Sequence, residues 1–190
     1  MRNLLVLFVI VAVTAVITYV MDYGGQKRIG NAVAGIQKEQ TLDEPAPRFS
    51  FRTIDNKDSS IKAQEGKITI LHVWATWCPP CIIEYPSLLN FVESMGGKIS
   101  LVSFSVDKEV EKVNAFYQML DEPLQDILQK DYIYSVHDPK RVITLDILGV
   151  QFYPETIVIS PQGRIVKRYV GNFDDWESPE TKREFEQYLH

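Results

Sequence analysis

Hydrophobic residues are distributed along this chain in two different ways. Near the amino terminus they form one uncharged run of about 17 residues, LLVLFVIVAVTAVITYV at 4–20. As a helix this run spans roughly 26 Å, close to the lower limit for crossing a bilayer. A cleaved secretory signal is the alternative, but residues 21–24 (MDYG) follow the run directly and offer no small-x-small cleavage site. The pattern therefore predicts an uncleaved transmembrane anchor over residues 1–21.

The next segment lacks sustained apolar periodicity. Residues 22–45 contain glycines and mixed charges and run into the acidic, proline-bearing stretch TLDEPAP at 41–47. Such a composition is typical of a linker. We therefore predict a flexible tether over residues 22–45, followed by one folded domain over residues 46–190.

Within that domain, strand and helix patterns alternate. Residues 68–74 and 99–106 are rich in apolar and β-branched side chains, which is typical of central strands. The helix expected from Pro79 to about Ser94 joins them into a βαβ unit. Further strands are predicted at 48–54, 155–159 and 164–170, and further helices at 108–120, 141–148 and 179–188. Residues 119–137 show no clear motif and are interpreted as an insert that shapes partner choice. The alternation predicts an α/β fold in which helices cover a sheet.

Composition and charge exclude several classes of protein. The chain has 190 residues, 25 acidic against 20 basic, and a net charge of −5. This length supports one ordinary domain with an appendage and excludes a large multidomain enzyme. The charges are spread rather than gathered in blocks, so we predict no nucleic-acid partner. Two cysteines and three histidines (His72, His137 and His190) are too few and too scattered for a four-ligand zinc site, and we predict no metal site.

Both cysteines lie where the first central strand meets its helix, in WATWCPPC at 74–81. Two cysteines three apart at a helix start lie on one face, close enough for a disulfide. Cys78 would sit at the helix N-terminus, where the helix dipole stabilises a thiolate. Cys81 would be shielded and act as the resolving thiol, while Pro79 and Pro80 suit the first turn. A purely structural bridge is the alternative, but so short a loop removes little unfolded-state entropy.

Trp-Cys-x-x-Cys after a buried strand resembles the thioredoxin active site. Together with Phe49-Ser50-Phe51 upstream and LGVQFYPET at 148–156, it resembles the membrane-anchored TlpA, ResA and CcmG group over roughly residues 45–190. The resemblance implies a thioredoxin-like fold, with a central mixed β-sheet flanked by helices, preceded by one N-terminal transmembrane helix. It also implies a single-pass cell-membrane protein whose catalytic domain is on the periplasmic, extracytoplasmic side. The charges that flank the apolar run leave this orientation open.

The same resemblance assigns roles to individual residues. Cys78 matches the attacking thiol and Cys81 the resolving thiol of a redox-active disulfide, with no other cofactor. Pro154 matches a loop proline that is cis, faces the disulfide and helps to dock the substrate backbone. Taken alone, an X-Pro bond is more often trans. The other residues expected at the substrate-binding surface, unless they serve only in packing, are Trp77, Pro79 and Tyr153.

Glu84 lies one helical turn after Cys81, so its carboxylate can lean toward the sulfur atoms. ResA-like proteins have a glutamate at this spacing that tunes the thiol pKa values and assists proton transfer. The alternative is an exposed glutamate placed in the first part of a helix for dipole reasons alone.

His72 lies six residues before Cys78, where thioredoxin has a buried aspartate and many TlpA-like chains have asparagine. A histidine there could take the proton from the resolving thiol at neutral pH. The alternative is a core histidine whose ring is satisfied by a backbone partner.

These residues predict dithiol-disulfide exchange, in which Cys78 attacks and Cys81 resolves. The resemblance implies a protein disulfide reductase with substrates such as the oxidised Cys-x-x-Cys-His of apocytochromes c. It also implies a membrane electron donor of the CcdA or DsbD kind. An oxidising or isomerising protein is the alternative, because the same residues on one fold serve both directions.

Three other classes of protein fit these residues less well. A peroxiredoxin needs Pro-x-x-x-Thr-x-x-Cys, but Leu71 occupies the proline position relative to Cys78 and no threonine stands three residues before Cys78. A Sco-like copper chaperone would combine thiolates with a distant histidine, for which His137 is available, but Sco cysteines are spaced by three residues rather than two. A non-catalytic thioredoxin-like module would not need the intact Cys-x-x-Cys.

Overall fold

The structure is a computed structural model that describes residue 14 and residues 38–189. A six-stranded sheet forms its centre, and a separate two-stranded hairpin, β2 (Ser50–Arg52) and β3 (Asp58–Ser60), lies outside that sheet. The strands of the main sheet are β1 (Lys38–Pro45), β4 (Ile68–Trp74), β5 (Ile99–Ser105), β6 (Ile133–His137), β7 (Glu155–Ile159) and β8 (Arg164–Val170). The α-helices are α1 (Pro79–Ser94), α2 (Val110–Met119), α3 (Glu122–Leu128) and α4 (Pro179–Gln187), with a short π-helix over Val142–Ile147.

The main sheet is mixed. Its order is β1-β8-β7-β4-β5-β6, in which β4, β5 and β6 run parallel while β7, β8 and β1 pair antiparallel. The expected α/β fold with a central mixed sheet and helices is confirmed.

The two central strands are buried along their whole length, as their apolar sequences predict. Helix α1 connects them and packs on the face that carries Trp74, whose ring lies 4.6 Å from that of Tyr85, centroid to centroid. Phe116 of α2 joins the same cluster, 5.0 Å from Trp74. This aromatic core fixes the start of α1 against the end of β4, which is where the cysteines lie.

The tether prediction is wrong over residues 38–45. These residues form the edge strand β1, which pairs antiparallel with β8. Two ion pairs support this pairing, Asp43 with Arg164 and Glu39 with Lys167. Because β1 is polar and acidic, its strand conformation comes from the partner strand and not from its own hydrophobic pattern.

Two further differences concern strands. The strand expected at 48–54 does not join the main sheet along its length; it forms the β2–β3 hairpin and touches β6 through a single bridge between Thr53 and Val136. The segment 119–137, expected to be irregular, contains α3 and the edge strand β6. Asp121 is the N-cap of α3: its side chain accepts a hydrogen bond from the Leu124 amide, and Pro123 lies in the first turn.

The predicted anchor at 1–21, apart from residue 14, and the tether residues 22–37 lie outside the described residues. Over residue 14 and residues 38–189, no helix combines the length and the apolar character needed to cross a bilayer.

Candidate active site

The two cysteines lie at the edge of the sheet where β4 ends. Cys78 is the N-cap of α1, with extended backbone angles, and is joined to Cys81 by a disulfide. Pro79 and Pro80 fill the first turn and have no N–H, so the backbone donors of that turn begin at Cys81. The Cys78 side chain is 5% exposed and that of Cys81 is fully buried. This difference in access supports Cys78 as the attacking thiol and Cys81 as the resolving thiol.

A buried aspartate that the sequence reasoning did not single out holds the loop before the cysteines. Asp107 follows β5 and accepts hydrogen bonds from the Thr76 amide at 2.9 Å and the Thr76 hydroxyl at 2.6 Å. Ser105 donates a third at 2.7 Å. The sequence feature that could have identified Asp107 is an acidic residue just after a central parallel strand, at the same sheet edge as the cysteine motif.

The loop before β7 reaches the same edge, because β7 pairs antiparallel with β4. The Tyr153–Pro154 peptide bond is cis, as the resemblance implies. The ring of Tyr153 meets the ring of Trp77 edge to face, with 5.8 Å between centroids, while Trp77 remains 60% exposed. The structure therefore brings Trp77, the neighbour of Cys78, against Tyr153, the neighbour of Pro154, and leaves Pro79 exposed at the start of α1.

Next to Pro154, Glu155 is a buried carboxylate that the sequence reasoning treated only as part of a strand. It pairs with Arg168 of β8, and the guanidinium also donates to the Leu148 carbonyl at 3.2 Å. Burial raises the pKa of Glu155, while Arg168 opposes the increase. The pair ties the Pro154 loop to the neighbouring strand.

Glu84 is buried rather than exposed, so the dipole-only alternative for it is wrong. Its side chain is 2% exposed, and its carboxyl oxygens accept hydrogen bonds from the Trp176 indole at 2.8 Å and the Phe173 amide at 3.3 Å. Burial raises the pKa of Glu84 to about 7, although both hydrogen bonds act against it. A carboxyl that titrates near neutral pH, one helical turn from Cys81, is suited to proton transfer.

His72 is fully buried in β4 on the face that α1 covers, 5.8 Å from the Tyr85 ring between centroids. Its Nδ1 lies 2.9 Å from the hydroxyl of Thr156, the residue opposite it on β7. Burial lowers the pKa of His72 to about 3, so the ring is neutral at neutral pH. This geometry favours the core-histidine alternative, with a side-chain hydroxyl in place of the expected backbone partner.

His137, the histidine available for copper, places its Nε2 2.8 Å from the Asp107 carbonyl oxygen. Within the described part of the chain, no group of three or more His, Cys, Asp or Glu side chains could hold a metal ion.

A disulfide at a helix N-terminus on a thioredoxin-like sheet, beside a proline loop, defines a thiol-disulfide oxidoreductase. The chain belongs to the redoxin family, whose model matches residues 41–189. It is 30% identical to the thioredoxin-like protein YneN of Bacillus subtilis (strain 168), over 82% of this chain and 80% of that protein. It is 31% identical to the thiol:disulfide interchange protein DsbE of Escherichia coli (strain K12), over 77% of this chain and 75% of that protein.

The fold is shared with solved structures. A thiol:disulfide interchange protein of the thioredoxin family from Chlorobium tepidum TLS superposes with a TM-score of 0.59 at 23% identity, covering 80% of this chain and 99% of that one. These relatives support the resemblance to the TlpA, ResA and CcmG group.

Proposed function

We propose that this protein is a membrane-anchored disulfide reductase that acts on protein substrates outside the cytoplasm. The observation that carries the proposal is the Cys78–Cys81 disulfide at the start of α1, flanked by the exposed Trp77 and by the Pro154 loop. A first cysteine at the helix N-terminus, a fully buried second cysteine and the exposed Trp77 ring beside them together suit attack on another polypeptide.

The reaction has two steps. In the first, the Cys78 thiolate attacks one sulfur of a substrate disulfide, the substrate S–S bond breaks, and one substrate thiolate leaves. In the second, the Cys81 thiolate attacks the Cys78 sulfur and expels the other substrate thiolate. Two electrons pass to the substrate, which takes up two protons, and Cys78 and Cys81 end as a disulfide. The observed bridge is this oxidised state.

The reducing direction, the location and the partners rest on the resemblance to the TlpA, ResA and CcmG group. The apolar run at 4–20 supports an anchor in the cell membrane. Oxidised Cys-x-x-Cys-His segments of apocytochromes c are the proposed substrates, and a membrane reductase of the CcdA or DsbD kind is the proposed electron donor. The relative named a thiol:disulfide interchange protein, DsbE of Escherichia coli (strain K12), supports exchange between protein thiols as the reaction class.

Trapping the intermediate tests the reaction. The reduced protein should reduce insulin, and Cys78→Ser should abolish the activity. Cys81→Ser should stop after the first step and accumulate a mixed disulfide through Cys78. Activity that survives Cys78→Ser, or a mixed disulfide that forms through Cys81 in that variant, would refute the assignment.

The location and donor are tested in cells. In Cys81→Ser, a membrane-impermeant maleimide should label Cys78 in spheroplasts without lysis. The wild-type pair should accumulate as the disulfide when the membrane reductase is deleted. Labelling only after lysis would contradict the proposed orientation, and a reduced pair in the deletion strain would contradict the proposed donor.

A further inference from the structure

Both carboxyl oxygens of Glu84 accept hydrogen bonds from one short segment, residues 171–176. Trp176 is 92 positions away in sequence and donates from its indole, while Phe173 donates from its backbone. A carboxylate only accepts hydrogen bonds, so two donors match its charged form. The segment therefore acts on the charge of Glu84 and not simply on its packing.

The segment is itself held at both ends. The Gly171 amide donates to the Pro154 carbonyl at 2.9 Å. The Trp176 ring is fully buried and lies 5.4 Å from Phe91 of α1 and 6.1 Å from Phe185 of α4, between ring centroids. The indole N–H is thus fixed in direction by its aromatic neighbours. Its hydrogen bond links the Glu84 carboxyl to residues 171–176, the segment whose Gly171 amide contacts the Pro154 loop.

The charged and titratable groups around Glu84 act in different directions. Burial and the negative charge of Asp174 raise the pKa of Glu84, and the hydrogen bonds from Trp176 and Phe173 lower it. Tyr169 of β8 packs against Trp176 and stays neutral, because burial raises its pKa. Glu177 follows the segment and accepts a hydrogen bond from Asn90. On α1 itself, the nearest titratable group toward the helix start is the thiol of Cys81.

We propose that Trp176 is a positioning residue for disulfide exchange, because its indole N–H holds the Glu84 carboxylate charged one helical turn from Cys81. The inference rests on the function proposed for the cysteine pair. During resolution of the mixed disulfide, the Cys81 thiol must lose a proton before its sulfur attacks Cys78. The charged Glu84 carboxylate accepts that proton, and the indole N–H sets the pH range in which the carboxylate is ready to do so.

Two variants that should shift the pKa of Glu84 in opposite directions test the proposal. Infrared spectroscopy follows the titration of the Glu84 carboxyl in the oxidised protein. The Glu84 band is identified as the one that disappears in Glu84→Gln. Trp176→Phe should raise the midpoint by about one to two pH units, because a hydrogen bond to the charged form is lost. Asp174→Asn should lower the midpoint. Replacing Trp176 with benzothienylalanine keeps the bicyclic ring without the N–H and should reproduce the increase, even if Trp176→Phe fails to fold.

Trp74 offers a matched control. It is also fully buried, and among the described residues its indole nitrogen has no hydrogen-bond partner. Trp74→Phe therefore removes a buried indole without touching Glu84 and should leave the carboxyl midpoint in place.

Exchange kinetics complete the test. In both Trp176 variants the pH profile of insulin reduction should move upward with the carboxyl midpoint, and the rate at pH 7 should fall about fivefold for a shift of one unit. An unmoved carboxyl midpoint, or an exchange profile that does not follow it, would overturn the proposal. A wild-type protein that reduces no disulfide at any pH would instead refute the proposed function, while the carboxyl titration would still report on the Trp176–Glu84 bond.

Discussion

Trp77 meets Tyr153 edge to face, with 5.8 Å between ring centroids and planes 79° apart. The contact joins the residue before Cys78 to the residue before Pro154. The Arg141 guanidinium lies over the Tyr153 ring, 5.8 Å from its centroid. Two loops that are distant in sequence thus share one aromatic surface beside the disulfide.

That surface should select for polypeptide substrates. Because Trp77 is exposed and preorganised by Tyr153, Trp77→Ala should raise the KM for a protein disulfide by about tenfold. The rate with glutathione disulfide, which is too small to cover the surface, should change little. Met119→Ala, which truncates a 78% exposed side chain at the end of α2, is the matched control and should affect neither substrate. Equal losses with both substrates in Trp77→Ala would contradict a docking role.

His72 should add an acid-sensitive contribution to the free energy of unfolding. Its pKa is lowered by burial from 6.5 to about 3, so the unfolded chain binds a proton that the folded chain does not. Protonation of the unfolded chain therefore lowers the free energy of unfolding as the pH falls below 6.5, by about 2 kcal/mol between pH 7 and 5. Urea unfolding of wild type and His72→Asn at both pH values measures the difference. Thr156→Val keeps the imidazole and should keep the sensitivity; a His72→Asn protein with the same acid dependence as wild type would disprove it.

Glu84 should have the opposite effect. Its pKa is raised from 4.5 to about 7, so its stabilising contribution is present at low pH and is lost as the pH rises through 7. The loss from pH 5 to 8 is about 2–3 kcal/mol. The two buried groups therefore nearly cancel in the wild type. Glu84→Gln should become more stable as the pH rises over this range and His72→Asn less stable. Parallel pH dependences in the two variants would contradict these assignments.

Strand β1 should contribute to the stability of the domain. Lys167 of β8 is nearly buried and pairs with Glu39 of β1 and Glu184 of α4. Lys167→Ala leaves the two carboxylates without their shared cation and should cost about 2 kcal/mol in the free energy of unfolding. Lys57→Ala removes an exposed pair with Asp55 and should cost far less, because solvent screens an exposed ion pair. Equal effects of the two variants would mean that β1 adds no more than a surface contact.

The central part of the fold was predictable because its signals are local. Runs rich in apolar and β-branched residues mark β4 and β5, and the cysteine spacing marks the start of α1. Strand β1 gave no such signal. Its sequence KEQTLDEP is polar, and only pairing with β8 makes it a strand, which explains why a tether was expected there.

The site was predictable only in part, because several of its contacts join residues that are distant in sequence. Cys78, Cys81 and Pro154 lie in short motifs, whereas the environment of Glu84 depends on Trp176, 92 residues later. Asp107 and Arg168 likewise act across strands whose register the sequence does not state. The sequence places His72 in β4. It does not give the low pKa of the ring, because that depends on burial in the folded domain.

The reduction potential of the Cys78/Cys81 pair tests the central claim most directly. It is measured by equilibrating the full chain with glutathione buffers and quantifying the dithiol and disulfide forms after alkylation. A disulfide reductase requires a value near that of thioredoxin, around −270 mV, and this is the result we predict. A value near −120 mV, typical of a strong oxidant, would contradict the account and make the protein a disulfide donor.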